Sequence, residues 1–313
     1  PKEDVYTFEW LEEIIDKLRE RKIQVVLATP SGGMPHWLTQ KYPETLQVQA
    51  DGTVNLPGKR HNFCYSSPVM RRKVKQIDRA LAQRFGKKEN VILWHISNEF
   101  GGNFKDSTCH CEKWLKNKYG TLDKLNASWW TGFWSHKYTD WDQIHSPSPQ
   151  GECLTTALTL DWKRFSSEQI TDFCKMEADA LREFSDLPTT TNMMGFFKGV
   201  DYNTLKNAVD IISWDNYPFW HERKDEVPEA VYTSAGNALM RSLKREPFLL
   251  MESTPSSVSW RSHNPLKRPG MHMLSSMQAV ADGADSVQYF QWRKSRGGYE
   301  KFHGAVVDHK NGS

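Results

Sequence analysis

Apolar positions recur at two periods along the chain, and their alternation sets the expected fold. Within 5–21, Trp10, Leu11, Ile14, Ile15 and Leu18 fall at helical spacing, with charges on the other face. The run 23–29, IQVVLAT, is short and apolar and reads as a strand. A short helix is expected over 34–42, ending before Pro43. The stretch 49–61 is polar, holds glycines and has no period, so it reads as a loop. Ser67-Pro68 marks a helix start, Ser67 as the cap and Pro68 at the first position, and Phe85-Gly86 marks its end. The next apolar run, within 91–97, is a buried strand. Helices over 159–183, 202–207, 228–243 and 269–282 then alternate with strands over 188–194, 211–217, 248–251 and 286–292.

Strands therefore begin near 23, 91, 188, 211, 248 and 286, about six βα units and the mark of a parallel sheet. The fold class is α/β, and the expected architecture is a (β/α)8 TIM barrel. A helix precedes the first strand and the chain opens with Pro1-Lys2-Glu3. The expectation is that two earlier strands lie upstream, so that the six here are the third to the eighth. A doubly wound open sheet is the alternative, but no glycine-rich phosphate loop follows an early strand. Residues 1–313 are expected to be one partial catalytic domain, with a Trp-rich insertion over about 101–150 after the fourth strand.

Composition narrows the function. A formal charge of +3 over 313 residues, with no Lys/Arg block, speaks against a nucleic-acid binder. No apolar run approaches the roughly 20 residues of a membrane span. Thirteen Trp is a high number, and indole suits stacking on a sugar face, although most are expected in the core. Five cysteines cannot all pair internally, so a disulfide framework is not expected and a reducing, cytoplasmic location is. A targeting segment ahead of Pro1 would not be seen in this sequence.

Two strand ends carry the candidate chemistry. The stretch 91–102, VILWHISNEFGG, delivers Asn98-Glu99 just before paired glycines, and 247–253, PFLLMES, delivers Glu252. In a parallel barrel the C-terminal strand ends carry the catalytic groups. Two facing carboxyls suit glycosidic cleavage, one as acid and one as nucleophile. Glu99 would be the acid, its pKa raised by apolar Trp94 or Phe100 and by the charge of Glu252. Arg60 would keep Glu252 ionised or bind sugar hydroxyls, and Asn98 would bond a 2-hydroxyl. Trp260 lies in a proline-rich loop eight residues beyond Glu252, placed to stack on a sugar. Glu300 and His303, three apart in a glycine-rich loop, would read two hydroxyls. The plainer alternative is a pair of solvated carboxylates where strands meet loops. A carboxyl separation of about 5–5.5 Å would mean retention, and roughly 6.5–9.5 Å inversion. Cys64, Cys109 and Cys111 suggest a structural zinc site, which wants four ligands. His110 would point away from a metal shared by its neighbours, so the fourth ligand is absent. The alternative is three buried or half-exposed thiols.

These stretches resemble glycoside hydrolase family 42, the β-galactosidases. The resemblance runs through YTFEWLEEIIDKL, VVLATPSGGMPHWL, Arg60-His61-Asn62-Phe63-Cys64 with Ser66-Ser67-Pro68, WHISNEFG and KYGTLDKLNASWWTGFWS, nearly the length of the chain. It implies a retaining hydrolase of terminal non-reducing β-D-galactosides or galacto-oligosaccharides. By resemblance Asn98-Glu99 is the acid/base pair and Glu252 the nucleophile. Arg60, Trp260, Glu300 and His303 would hold galactose, and Trp141 and Phe290 would wall its subsite. It implies no required cofactor, no nucleic-acid or membrane partner, and a trimer for the full-length protein. Trp114 stands where the family often has a further cysteine, which weakens the zinc reading. The alternatives are another retaining glycosidase of related fold, an α-L-arabinopyranosidase, β-glucosidase or endo-glycanase, or a non-catalytic sugar-binding barrel.

Overall fold

A computed structural model describes residues 2–101, 107–108, 111–222 and 224–309. The chain divides into two compact units, Pro1–Pro188 with Lys198–Ala208, and Thr189–Phe197 with Val209–Ser313.

In the first unit α1 (Glu9–Glu20) leads into β1 (Val25–Ala28), then α2 (His36–Lys41), β2 (Val48–Gln49) and α3 (Pro68–Phe85). β3 (Val91–His95) and β4 (Ser107–Thr108) follow, then α4 (Glu112–Tyr119), α5 (Leu122–Trp129), α6 (Thr156–Arg182) and α7 (Tyr202–Leu205). β1 pairs in parallel with β3, Leu27 opposite Trp94 and Ala28 opposite His95. This register brings the C-terminal ends of the two strands side by side. The start of α3 follows its local signals: Ser67 Oγ accepts from Met70 N at 3.3 Å and Pro68 takes the first turn, where a missing N–H costs nothing. α6 buries Phe165, Ile170 and Phe173 along one side. Phe173 meets Tyr65 edge-on at 5.2 Å, and Tyr65 lies 4.8 Å from Phe63. The insertion has its own small core, in which Leu115, Leu125, Trp129 and Ile144 close on Leu158, Trp162 and Phe165 of α6.

In the second unit β5 (Thr189–Thr190) and β6 (Asn192–Met193) precede β7 (Ser213–Asp215), α8 (Val227–Lys244), β8 (Phe248–Glu252), α9 (Met271–Ala281) and β9 (Ala284–Val287). β6, β7, β8 and β9 form a parallel sheet in that order. α8 lies close on β7 at Gly236. A Cβ there would sit 2.4 Å from Cη2 of the Trp214 indole, so only glycine permits this approach.

Three sequence expectations change in detail. The single strand expected over 188–194 is two short strands, β5 and β6, parted at Thr191. The aperiodic loop over 49–61 flanks a short antiparallel pair, β2 with β4. Side-chain amides, not hydrophobic alternation, organise it: Asn55 Nδ2 donates to Gln47 Oε1 at 3.0 Å and Gln49 Nε2 donates to Asn55 Oδ1 at 2.9 Å. The last strand runs Ala284–Val287 instead of 286–292, because its register is set by Phe248 opposite Ala284 and Leu250 opposite Val287. Beyond Val287 single backbone bonds carry the chain along β8, Gln288 N to Leu250 O at 2.9 Å and Phe290 N to Ser253 O at 2.7 Å. Among the described residues no helix is long and apolar enough to cross a membrane.

Candidate active site

The first unit brings Arg60, Asn98 and Glu99 together. β3 is buried nearly throughout, and its last residues pass into a turn in which Ser97 (φ 53°) and Glu99 (φ 44°) are both left-handed. That region is unfavourable for residues with a Cβ, so the turn persists only where surrounding bonds hold it. The half-exposed Arg60 guanidinium donates to Glu99 Oε2, and Asn98 Nδ2 lies 3.4 Å from the same oxygen. His61, next in the chain, is 4% exposed, and its backbone N–H donates to Gly32 O at 3.1 Å. Burial, and then the charge of Arg60, pull its pKa down to about 4, so the ring is neutral at pH 7.

The second unit gathers Glu252, Trp260, Phe290 and His303. Glu252 ends β8. Tyr217 Oη donates to its Oε2 at 2.7 Å, and Asn192 Nδ2 to its Oε1 at 3.3 Å. The same Asn192 amide donates to Asp215 Oδ2 at 2.6 Å. Three parallel strands thus present polar side chains at one end, as β6, β7 and β8 lie side by side. His303 is wholly buried, with ring centroids of Phe290 at 4.7 Å, Trp260 at 5.3 Å and Tyr217 at 5.8 Å. Burial lowers its pKa, opposed by the Phe290 backbone, and keeps the imidazole neutral, one nitrogen a donor and one an acceptor. Gly304 lets this loop reach the one after Glu252: its N–H donates to Ser257 O at 2.8 Å, and a Cβ would sit 1.8 Å from Ser256 Oγ. Trp260 meets Tyr217 edge-on at 4.8 Å and stays 57% exposed, leaving ring surface open. Glu300 enters this group through its backbone, its carbonyl accepting from His303 N at 3.0 Å.

Trp141 packs half-buried on the insertion's core, with the Lys116 ammonium 5.7 Å from its ring. Of the zinc candidates, Cys109 lies outside the described residues, as does His110. Cys64 Sγ sits 3.1 Å from Ser66 Oγ. Cys111 is buried in the insertion's core, and burial pushes its thiol up to about 11. Among the described residues neither thiol belongs to a cluster of three metal-ligating groups. Cys64 and Cys111 are two of the four donors that a structural zinc wants.

Tyr217, Asn192, Asp215 and His61 were not singled out from the sequence. Asp215 was within reach of the strand-end rule, since it closes the apolar run of β7, and Tyr217 follows two residues later, whereas Asn192 opens β6 behind three threonines and carries no such mark. His61 offered only its place beside Arg60.

Solved structures place this fold. A crystal structure of a β-galactosidase from Rahnella sp. R3 superposes with a TM-score of 0.95 at 53% identity, over 99% of this chain and 46% of that one. A catalytic mutant of Gan42B, a GH42 β-galactosidase from G. stearothermophilus in which a glutamate is replaced by alanine, gives 0.95 at 50% identity, over 99% and 47%. The fold class is therefore the α/β, TIM-barrel class expected from the strand–helix alternation. The sequence profile Glyco_hydro_42, described as beta-galactosidase, matches residues 1–313, and the chain belongs to that family. Beta-galactosidase BglY of Alicyclobacillus acidocaldarius is 54% identical over 317 residues, covering 99% of this chain. The chain spans about half the length of such relatives, 45% in that case.

Proposed function

We propose that this chain carries the catalytic centre of a retaining β-galactosidase, with Glu252 as nucleophile and Glu99 as general acid and base. The observation that carries the reading is the setting of Glu252. A carboxylate at a strand end, accepting from a phenol and an amide beside an aromatic and imidazole wall, is equipped to attack and to be aimed. Glu252 attacks the anomeric carbon while Glu99 gives its proton to the departing glycosidic oxygen. Glu99 then takes a proton from water, which releases the sugar from Glu252 with the β configuration restored. Galactose hydroxyls are held by Arg60, Asn98, Glu300 and His303 against Trp260, Phe290 and Trp141. Two carboxyls suffice, without an organic cofactor. A structural zinc on Cys64, Cys109 and Cys111 is a separate proposal, tested by metal analysis of the purified protein. A homotrimer, tested by light scattering, and a cytoplasmic location complete the reading.

The test is azide rescue. In Glu252→Ala hydrolysis of an aryl β-galactoside should fall by roughly 10³-fold or more, and azide should restore turnover with α-galactosyl azide as product. In Glu99→Ala, azide should attack the intact galactosyl-enzyme and give the β-azide. If both variants keep wild-type rates, Glu252 and Glu99 are not the catalytic pair, and if the unaltered protein turns over no aryl glycoside, the chain is a sugar-binding barrel. A wild-type preference for aryl α-L-arabinopyranosides over aryl β-galactosides would move the substrate to the sugar lacking C6.

A further inference from the structure

Two acids lie in the core of the first unit with no part in the chemistry above. Glu177 on α6 and Asp78 on α3 are both 0% exposed. Such groups are costly to bury unless they are paired or hydrogen-bonded. Each Glu177 oxygen accepts one hydroxyl, Oε2 from Thr29 Oγ1 and Oε1 from Ser31 Oγ, both at 2.7 Å. Thr29 follows the last residue of β1, and its N–H donates to His95 O at the end of β3 at 2.9 Å. Its hydroxyl, having given its only proton to Glu177, accepts from the backbone N–H of Ser97 at 2.7 Å. Ser97 is the first left-handed residue of the turn that carries Glu99. Burial, and then the charge of Glu177, push Asp78 well above the carboxylate range, so it stands as a protonated neighbour of Glu177. Glu177 thus accepts two hydroxyls, one on each oxygen.

We propose that Glu177 is a positioning residue for Glu99, acting through the Thr29 hydroxyl on the Ser97 N–H to hold the strained turn in its active geometry. The inference rests on the reading of Glu99 as general acid. The carboxylate fixes the direction of the hydroxyl: the Thr29 proton points at Glu177 and a lone pair at Ser97. A buried N–H left without an acceptor is expensive, so the turn has one favourable arrangement while this bond lasts. Without it the two left-handed residues can relax and carry the Glu99 carboxyl away from the glycosidic oxygen. Proton transfer needs hydrogen-bond reach, so a shift of about 1 Å matters to Glu99 more than to groups that only bind.

The test separates acid assistance from general damage by leaving group. A 2,4-dinitrophenyl galactoside departs without a proton, whereas a phenyl galactoside needs one. In Thr29→Val, measured in the intact protein, kcat/KM for the phenyl substrate should fall roughly 10–100-fold, with that for the dinitrophenyl substrate within about 3-fold of wild type. Thr29→Ser keeps the hydroxyl and should restore the wild-type ratio, and Glu177→Leu should reproduce the Thr29→Val pattern. The ratio of the two substrates on one preparation is independent of the folded fraction. Equal losses on both substrates, or none, in Thr29→Val would overturn the proposal. Glu99→Gln is the reference: if it lacks the leaving-group pattern, the assignment of Glu99 fails, and that is read apart from any result on Thr29.

Discussion

The side chains around Glu252 illustrate how a few hydrogen bonds define a nucleophile. Tyr217 Oη gives it a 2.7 Å bond, and Asn192 ties it to Asp215 on the neighbouring strand. A hydrogen bond to a charged group is worth about 1.5–3 kcal/mol, so Tyr217→Phe should lower kcat/KM for an aryl galactoside about 10–100-fold. Steady-state kinetics on a variant with wild-type circular dichroism checks this, and a change below about 2-fold would remove Tyr217 from the machinery. On the side of Glu99, the Arg60 contact was expected in the sequence only as help for Glu252 or for sugar hydroxyls. The structure puts the guanidinium on Glu99. Arg60 must leave or share that carboxyl oxygen when Glu99 donates its proton.

Elements follow their local signals closely where those signals are strong. α3 begins where Ser67-Pro68 says it should, because a cap and a proline act within one turn. It ends at Gly86, which stays right-handed (φ −64°) and whose missing Cβ makes room for Ser185, 2.7 Å from where that Cβ would be. The helix over 228–243 is equally plain in the sequence, but its closeness to β7 is not. Gly236 faces Trp214, and Gly236→Ala would drive a methyl into the indole. Overpacking of this kind costs about 1–3 kcal/mol. The urea midpoint should fall accordingly, and Trp214→Phe in the same chain should recover part of the loss. An unchanged midpoint would mean that α8 shifts freely on the sheet.

For the whole molecule, the buried acids of the first unit set a pH dependence of stability. Burial raises Glu177 from 4.5 to about 7, opposed by the Ser31 and Thr29 hydroxyls and by Asp78. Asp78 is raised further by burial and by Glu177. A carboxyl whose folded pKa lies above its unfolded value binds its proton more tightly when folded. Stability is then fully present below pH 4.5 and is lost as pH rises through about 7, by about 3 kcal/mol for Glu177 alone. Asp78→Asn removes one of the two titrations and keeps the side chain's size. Its urea midpoint should vary less between pH 5 and 9 than that of the wild type. Parallel curves would show that Asp78 does not titrate with folding.

The sequence by itself determined the alternation of strands and helices, the α/β barrel class, the family and the strand-end glutamates. These rest on periodicity, caps and short motifs, whose physical causes act over a few residues. Where the cause is a side-chain amide network, as around Gln47 and Asn55, periodicity carried no trace of it. Only the tertiary structure decided which groups attend each glutamate. Tyr217 reaches Glu252 across 35 residues of chain, and Thr29 reaches Glu177 across 148. A threonine after a strand and a glutamate in a long helix carry no local mark of their bond. Burial makes that bond worth forming, and packing alone creates the burial.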